Sequence, residues 1–337
     1  MDRWRGCCLL MVFLALGCAP LWADSLPVTH PPAGKVRIVG LADQDFATIQ
    51  AAIDQAPFGG TVLIGAGRYD ERLMIGKPIT LVGAGAHQTA IGPTAETRHA
   101  EDAALLARIV ESQARAPGKR LGSEEHAAAV AEANVKSGPI ISIKKVEGVA
   151  LRSLRVNSPG SQTPKTGFRN GYFAVEVIDA GLHMSDCAVV GCRNFGVVTR
   201  GSVKLDLEKC LIAGCLAGVY AIDPGPGWVK IKDSDLRNCL RTNVWVGKSA
   251  GDVTIEDCRL SGTSEGSIHV YCAAAIRRNA IFENAQLGIL AADSGCAIEQ
   301  NVFYRNQVAV VCSTGARSRL TGNLFLDNKA AAVRSRG

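Results

Sequence analysis

The chain has 337 residues, 47% hydrophobic and 5% aromatic, with a formal net charge of +6. That length suits one elongated domain with a continuous core, and an aliphatic-rich, aromatic-poor balance suits a β interior. The charge favours acidic partners, and with no basic stripe interleaved with aromatics the sequence excludes nucleic acid as the partner.

Residues 1–23 read as a signal peptide: Arg3 and Arg5 supply charge, Cys7 to Leu16 an apolar stretch, and Ala23 a small residue at the cleavage site. This implies a secreted or periplasmic protein, with residues 24–337 forming its one domain. Ala15-Leu-Gly-Cys18 weakly resembles a lipoprotein box, which would leave a lipid anchor on Cys18, although the first position of that box prefers Leu. No later segment approaches the roughly 20 apolar residues of a membrane span. Of 12 cysteines, Cys7, Cys8 and Cys18 fall in the leader and nine beyond it. Buried free thiols are one reading of the nine; disulfides between neighbours such as Cys187 and Cys210 are the other. No CxxC or His/Cys cluster has ligand spacing, so neither a metal nor a cofactor is expected.

Residues 36–92 begin with a strand at Val36–Val39. Asp45 then starts a short helix that Pro57 ends, with Phe46, Ile49 and Ile53 on one face and Asp54 and Gln55 turned outward. Such a helix can plug the open end of a solenoid, the capping that every repeat array needs. Thr48-Ile-Gln-Ala-Ala-Ile53, Gly67-Arg-Tyr-Asp-Glu71 and Lys77-Pro-Ile-Thr-Leu-Val-Gly-Ala-Gly85 resemble the opening of pectinesterases and other pectin-lyase-like right-handed β-helix proteins. The resemblance implies the β-helix fold and, often, polysaccharide processing. The pectinesterase motifs Gly-x-Val-Asp-Phe-Ile-Phe-Gly and Gln-Asp-Thr are absent, so demethylation of pectin does not carry over to any residue here. Tyr69-Asp-Glu71 reads as a bend in the first coil. Residues 93–137 break the β pattern. Their Ala, Glu and Arg content and the spacing of Leu105, Leu106, Ile109 and Val110 predict a helical insertion in which His99 and His126 are solvated.

From residue 187 a motif recurs every 21–25 residues, marked by Cys187, Cys210, Asp235, Cys258, Asn279, Asn301 and Asn323. A second mark follows at Cys192, Cys215, Cys239, Thr263, Asn284, Asn306 and Asn328. Within one unit, alternation at Val203, Leu205 and Leu207, a run at Leu211 and Ile212, and a third at Val219 and Ala221 predict three short strands per coil. The predicted fold is all-β: a single-stranded right-handed parallel β-helix with an N-terminal capping helix and a helical insertion. Residues at the marks form ladders about 4.8 Å apart, with hydrogen-bonded Asn and small buried Cys.

The third strands align through Ala174, Gly196, Gly218, Asn243, Ser267, Gly288 and Ala309, so the residue two positions on faces outward. This outward row reads Glu176, Val198, Tyr220, Trp245, His269, Leu290 and Val311. The next reads Ile178, Arg200, Ile222, Gly247, Tyr271, Ala292 and Ser313, with Asp179, Asp223, Lys248 and Asp293 in the following bends. Tyr220, Trp245, His269 and Tyr271 thus share one outer face, and aromatic faces suit the apolar side of sugar rings. Glu176, Asp179 and Arg200 lie nearby, and the insertion 158–171 would bring Lys165 and Arg169 over that end.

Two function classes follow. The first is an exported enzyme, lyase, hydrolase or esterase, acting on a polysaccharable chain such as a uronate polymer. In it Arg200 or Arg169 would neutralise a carboxylate while His269, Lys165 or an arginine removed a proton; alternatively, Glu176 and Asp179 would form an acid/base pair. Tyr220, Trp245, Tyr271, Lys165, Arg169, Asp223 and Lys248 would hold the substrate. The second is a non-catalytic β-helix that binds a glycan or a protein at the cell envelope. A β-helix family linked to maturation of periplasmic metal enzymes is a third, which no ligand cluster supports.

Overall fold

The computed structural model describes residues 35–38, 45–94, 97, 138–157, 173–192, 194–222, 225–248, 251–292, 295–313, 317–329 and 333–336. The expected leader, most of the expected 93–137 insertion, and Lys165, Arg169 and Asp223 lie outside them.

The repeat folds as three strands per coil. One coil runs Lys204–Glu208, Leu211–Ala213 and Ala217–Ile222, and each strand pairs in parallel with its counterparts in the coils before and after. The result is a three-sided solenoid whose faces are sheets of eleven, ten and ten strands. Face I contains Lys204–Glu208, face II Leu211–Ala213 and face III Ala217–Ile222. Alternation decides which residues enter the core. In the first of these strands Leu205 and Leu207 are buried while Lys204, Asp206 and Glu208 are half-buried. On face III, Val175, Val197, Val219, Val244, Ile268, Ile289 and Val310 form one fully buried row, as the alignment of third strands predicts.

The N-terminal end is closed in two ways. Val36–Ile38 adds an antiparallel strand to face I beside Gly60–Ile64. The helix Ile49–Gln55 lays Ile49, Ala52 and Ile53 onto the core and leaves Asp54 and Gln55 exposed. Its N-cap is Thr48, whose hydroxyl accepts from the Ala51 N–H, and not Asp45 as the sequence suggested. Asp45 instead pairs with Lys35 and Arg37, whose hydrogen bonds, and then their charges, lower its carboxyl below its ordinary value. Glu71, in the bend of the first coil, accepts from the Ile49 and Gln50 N–H groups at 3.0 and 3.1 Å. A carboxylate at a helix N-terminus satisfies donors that have no intrahelical partner, so Glu71 ties the cap to the coil beneath it.

Two corners of each coil share one design. At the corner between faces I and II, Asp186, Lys209, Asp233, Asp257, Arg278 and Gln300 take left-handed backbone conformations, with φ between 49° and 56°. Each precedes a ladder residue: Cys187, Cys210, Ser234, Cys258, Asn279 and Asn301. Ser234 stands where the sequence reading had put Asp235. Strand register pairs Leu211 with Asp235, and the Ser234 hydroxyl accepts from the Cys210 N–H at 3.1 Å. The asparagines do this most fully. Asn301 Oδ1 accepts from the N–H and Nδ2 of Asn279, while its own Nδ2 donates to the Ile276 carbonyl and to Asn323 Oδ1. Cys258 Sγ contacts the Ile231 carbonyl at 3.6 Å, the position of the same donor in weaker form. The corner between faces II and III repeats the scheme through Thr263, Asn284, Asn306 and Asn328. Left-handed backbone costs about 1–2 kcal/mol per L-residue. The ladder bonds offset that cost at every step.

None of the nine cysteines from Cys187 to Cys312 forms a disulfide, and eight of them are buried. Burial pushes the Cys187 thiol up to about 11 and the Cys258 thiol up to about 12, and raises that of Cys210 as well.

Asn301→Ala removes partners from Asn279, Ile276 and Asn323 at once. It should lower unfolding free energy in urea by about 3 kcal/mol, since each orphaned buried group costs about 1–3 kcal/mol; a loss below about 1 kcal/mol contradicts the ladder's role. The thiols predict a pH dependence. An unfolded thiol ionises near pH ~8.5 whereas these ionise only well above it in the fold, so their contribution is intact below that value and falls as pH rises toward about 11. The slope is about 1.4 kcal/mol per thiol per pH unit. Urea midpoints should drop across that window, and a Cys187→Ala, Cys210→Ala, Cys258→Ala variant should show a shallower drop than the parent chain. Equal slopes would count against the buried thiols as the cause.

Candidate functional site

Face III carries the candidate site on its outer side. Its strands stack in register, and Glu176, Val198, Tyr220, Trp245, His269, Leu290 and Val311 form one outward row, preceded by Met74 and Ser142. The neighbouring row brings Lys144, Ile178, Arg200 and Ile222 into line. Lys144 belongs to this group and escaped the sequence reading. It sits in an earlier coil, separated from Glu176 by an insertion, and only the strand register places it next to the other charges.

At the N-terminal part of the face, Glu176 is 6% exposed although its side chain points away from the core. Lys144 Nζ lies 3.3 Å from its Oε2 and Arg200 Nη1 3.9 Å from its Oε1, and the Ser142 hydroxyl is 3.5 Å from Oε2. The guanidinium of Arg200 also lies 5.7 Å from the centre of the Phe173 ring. Lys144 and Arg200 keep about half their side-chain surface, 52% and 46%. A single buried carboxylate therefore holds two half-exposed cations two coils apart, with a net charge of +1.

Beyond the cations runs a stack of rings. Phe173 and Phe195 lie 5.5 Å apart, Phe195 and Tyr220 4.3 Å at 5°, and Tyr220 and Trp245 4.4 Å at 13°. Tyr271 meets Trp245 at 5.4 Å and 46°. Aromatics on successive coils at one position must stack, because the coil spacing of about 4.8 Å is close to a ring-to-ring contact distance. Phe173, Phe195, Val198, Leu216 and Ala217 form an apolar cluster separate from the main core, with Tyr220 and Ile222 packed against it. Stacking has a consequence for recognition. Both faces of Tyr220 and one face of Trp245 are taken up by stacked rings, so Tyr220 offers its edge outward and not the open platform expected from sequence.

The other expected residues do not converge on Glu176. Asp179 has φ +48° and is exposed in the bend that follows, and its Oδ1 accepts from the Ser202 N–H at 3.0 Å. That bond serves the turn. His269 is four coil steps from Glu176, roughly 19 Å at ~4.8 Å per step. Its ring folds back over Gly266, where any Cβ would meet Nε2 at 2.4 Å. Lys248 is exposed in the bend after the Trp245 strand.

Among the described residues, no three His, Cys, Asp or Glu side chains are arranged to hold a metal ion, and no helix is long and apolar enough to cross a membrane.

A family model described as a right handed beta helix region matches residues 141–277, and one described as periplasmic copper-binding protein (NosD) matches residues 227–336. No curated protein matches the sequence. Among solved structures, the chain is similar to pectin methylesterase PemA from Erwinia chrysanthemi, at 12% identity and a TM-score of 0.40, over 88% of this chain and 91% of that one. It is also similar to the surface protein and adhesin PfbA of Streptococcus pneumoniae, at 12% identity and a TM-score of 0.39, over 85% and 94%. The A-module of the Azotobacter vinelandii mannuronan C-5 epimerase AlgE6 matches at 12% identity and a TM-score of 0.26, over 86% and 94%. At such identities the likeness concerns the fold. Among the described residues, the copper in the second family description finds no donor cluster. Copper sites draw on thiolate, thioether or imidazole donors, and the thiols from Cys187 to Cys258 are spent on carbonyl contacts inside the core.

Removing the central anion tests the charge arrangement. Glu176→Gln keeps the shape but leaves Lys144 and Arg200 without their shared partner. We expect a loss of about 1–2 kcal/mol, discounted for the exposure of both cations, and a loss that shrinks in high salt. Asp179→Gln should not share that salt dependence, because its partner is a backbone N–H.

Proposed function

We propose that this chain, a right-handed parallel β-helix in fold, is a non-catalytic, exported binder of an acidic polysaccharide, working in the periplasm or at the cell surface. The single observation that carries this reading is the pair of half-exposed cations, Lys144 and Arg200, held on one outer face by buried Glu176. Two fixed positive charges along a straight face suit a linear polymer with repeated carboxylates. Holding them in place beforehand lowers the ordering cost of binding. The aromatic row continues the same line. Tyr220, Trp245 and Tyr271 contribute ring edges, hydroxyls and the indole N–H, which suit sugar hydroxyls.

Among the described residues, the side chains near Glu176 do not make up a catalytic set. A glycosidase needs two carboxyl groups flanking the scissile bond, and a lyase needs a base beside the neutralised carboxylate. Glu176 is occupied by its cations and Ser142, Asp179 by Ser202, and His269 lies far from both.

Calorimetric titration with a hexamer of galacturonate tests the reading. Lys144→Ala and Arg200→Ala should each weaken binding about tenfold, in line with the loss of one charge-assisted contact. The effect should fade as salt rises. Unchanged affinity in both variants sinks the site. Release of unsaturated products, reducing ends or methanol from polygalacturonate, alginate or methylated pectin would overturn the non-catalytic part.

A further inference from the structure

A second groove lies outside face III. It follows the corner between faces II and III and encloses about 510 Å³. Its lining begins at Gly191 and ends at Lys329, six coil steps away, roughly 29 Å along the solenoid axis at ~4.8 Å per step. The corner design explains why a groove exists. Gly191, Gly214 and Gly262 take the left-handed position at φ 65–72° and leave one wall without side chains. Asn238, Glu283 and Arg305 take the same position in the intervening or later coils and raise that wall with polar groups. Ser264 and Gln307 face them from the start of the third strands.

We propose that this corner groove is a second binding site, for a linear anionic glycan lying parallel to the solenoid axis. Its shape calls for an extended polymer, and the floor excludes one common kind. An extended peptide docks on a β-structure by pairing with free backbone groups. Here successive corners pair with each other: Leu240 N–H with the Cys215 carbonyl, Ser264 with Leu240, Ala285 with Thr263 and Gln307 with Asn284. Recognition must therefore come from side chains, and the Asn238 and Gln307 amides and the Ser264 hydroxyl along the lining suit the hydroxyls of a sugar polymer. The charges set the sign. Arg305 and Lys329 line the C-terminal part against one carboxylate, Glu283, which lies 3.9 Å from Arg305. Arg305 and Glu283 are each more than half exposed, so a ligand carboxylate can share the guanidinium. Leu240, 48% exposed, adds apolar contact for the sugar C–H groups further along the groove.

The site does not depend on the reading of face III, and one titration separates the two. With a hexamer of galacturonate the full chain should bind at two sites. Ala285→Trp, which places an indole in the groove from an exposed position, should leave one site. A Lys144→Ala, Arg200→Ala variant should leave the other, and combining all three changes should abolish binding. Arg305→Ala with Lys329→Ala should weaken the groove site about tenfold or more without altering the circular dichroism spectrum. If Lys144→Ala, Arg200→Ala changes nothing while Ala285→Trp removes the only binding, face III fails and the groove stands. If Ala285→Trp and the Arg305, Lys329 variant both leave stoichiometry and affinity unchanged, the groove proposal is overturned. Equal binding of uncharged cellohexaose at the groove would overturn its assignment to an anionic ligand.

Discussion

Everything in this molecule depends on coils that stack without slipping. The hydrophobic core alone does not guarantee that. A row of Val and Ile inside a solenoid tolerates a shift along the strand so long as apolar residues still meet apolar residues. The corners remove this freedom. A left-handed residue followed by Asn, Ser, Thr or Cys fixes where the chain bends, and the side chain that follows bonds to the same position one coil away. Shifting one coil by a single residue would break a buried hydrogen bond at two corners and turn core side chains to solvent. The part of the ladder built from Cys is chemically weaker than the part built from Asn. The thiols contact the same carbonyls at longer range and contribute more through volume than through hydrogen bonding.

Register imposes a limit on the outer faces as well as a benefit. Residues at one position of successive coils sit about 4.8 Å apart. Aromatic rings at that spacing pack on each other, as Phe173 does on Phe195 and Tyr220 on Trp245. The same spacing lets one carboxylate reach cations in the coils on either side, as Glu176 does with Lys144 and Arg200. Face I uses the rule again, with Arg277 between Glu256 and Glu299. In-register stacking thus turns single residues into ladders. It favours linear arrays of like chemistry and gives a straight ligand a repeated contact.

The rows themselves were legible in sequence because strand period and coil period are both simple. The inward Val and Ile row and the outward row from Glu176 to Val311 could be aligned from the small residue that opens each third strand. Ser234 was not found, because its coil carries an altered spacing and an Asp beside it looked more like a mark. The role of Glu71 was hidden for a different reason: a carboxylate in a bend gives no local sign that a helix N-terminus lies above it. Lys144 could not be joined to Glu176 by any periodicity, since an irregular segment separates the two coils. The ring stacking is a consequence of coil spacing. A count of aromatics on a face says nothing of which ring surfaces the pitch leaves open, and stacking at that pitch covers both faces of Tyr220.

The same geometry bears on whether such a face can do chemistry. Proton transfer and bond cleavage need groups that approach one reacting atom from different directions. A flat sheet with short bends supplies groups from one direction only, spaced along a line. Catalysis on such a scaffold requires side chains that rise from longer loops and turn back over the face. Among the described residues around Glu176, the neighbours come from the face itself, and the nearest bend carboxylate, Asp179, is committed to the Ser202 N–H. Fixed charges on a rigid line can still discriminate a polymer by the spacing of its carboxylates. That is a task of binding, and it needs the straightness that the corner ladders enforce.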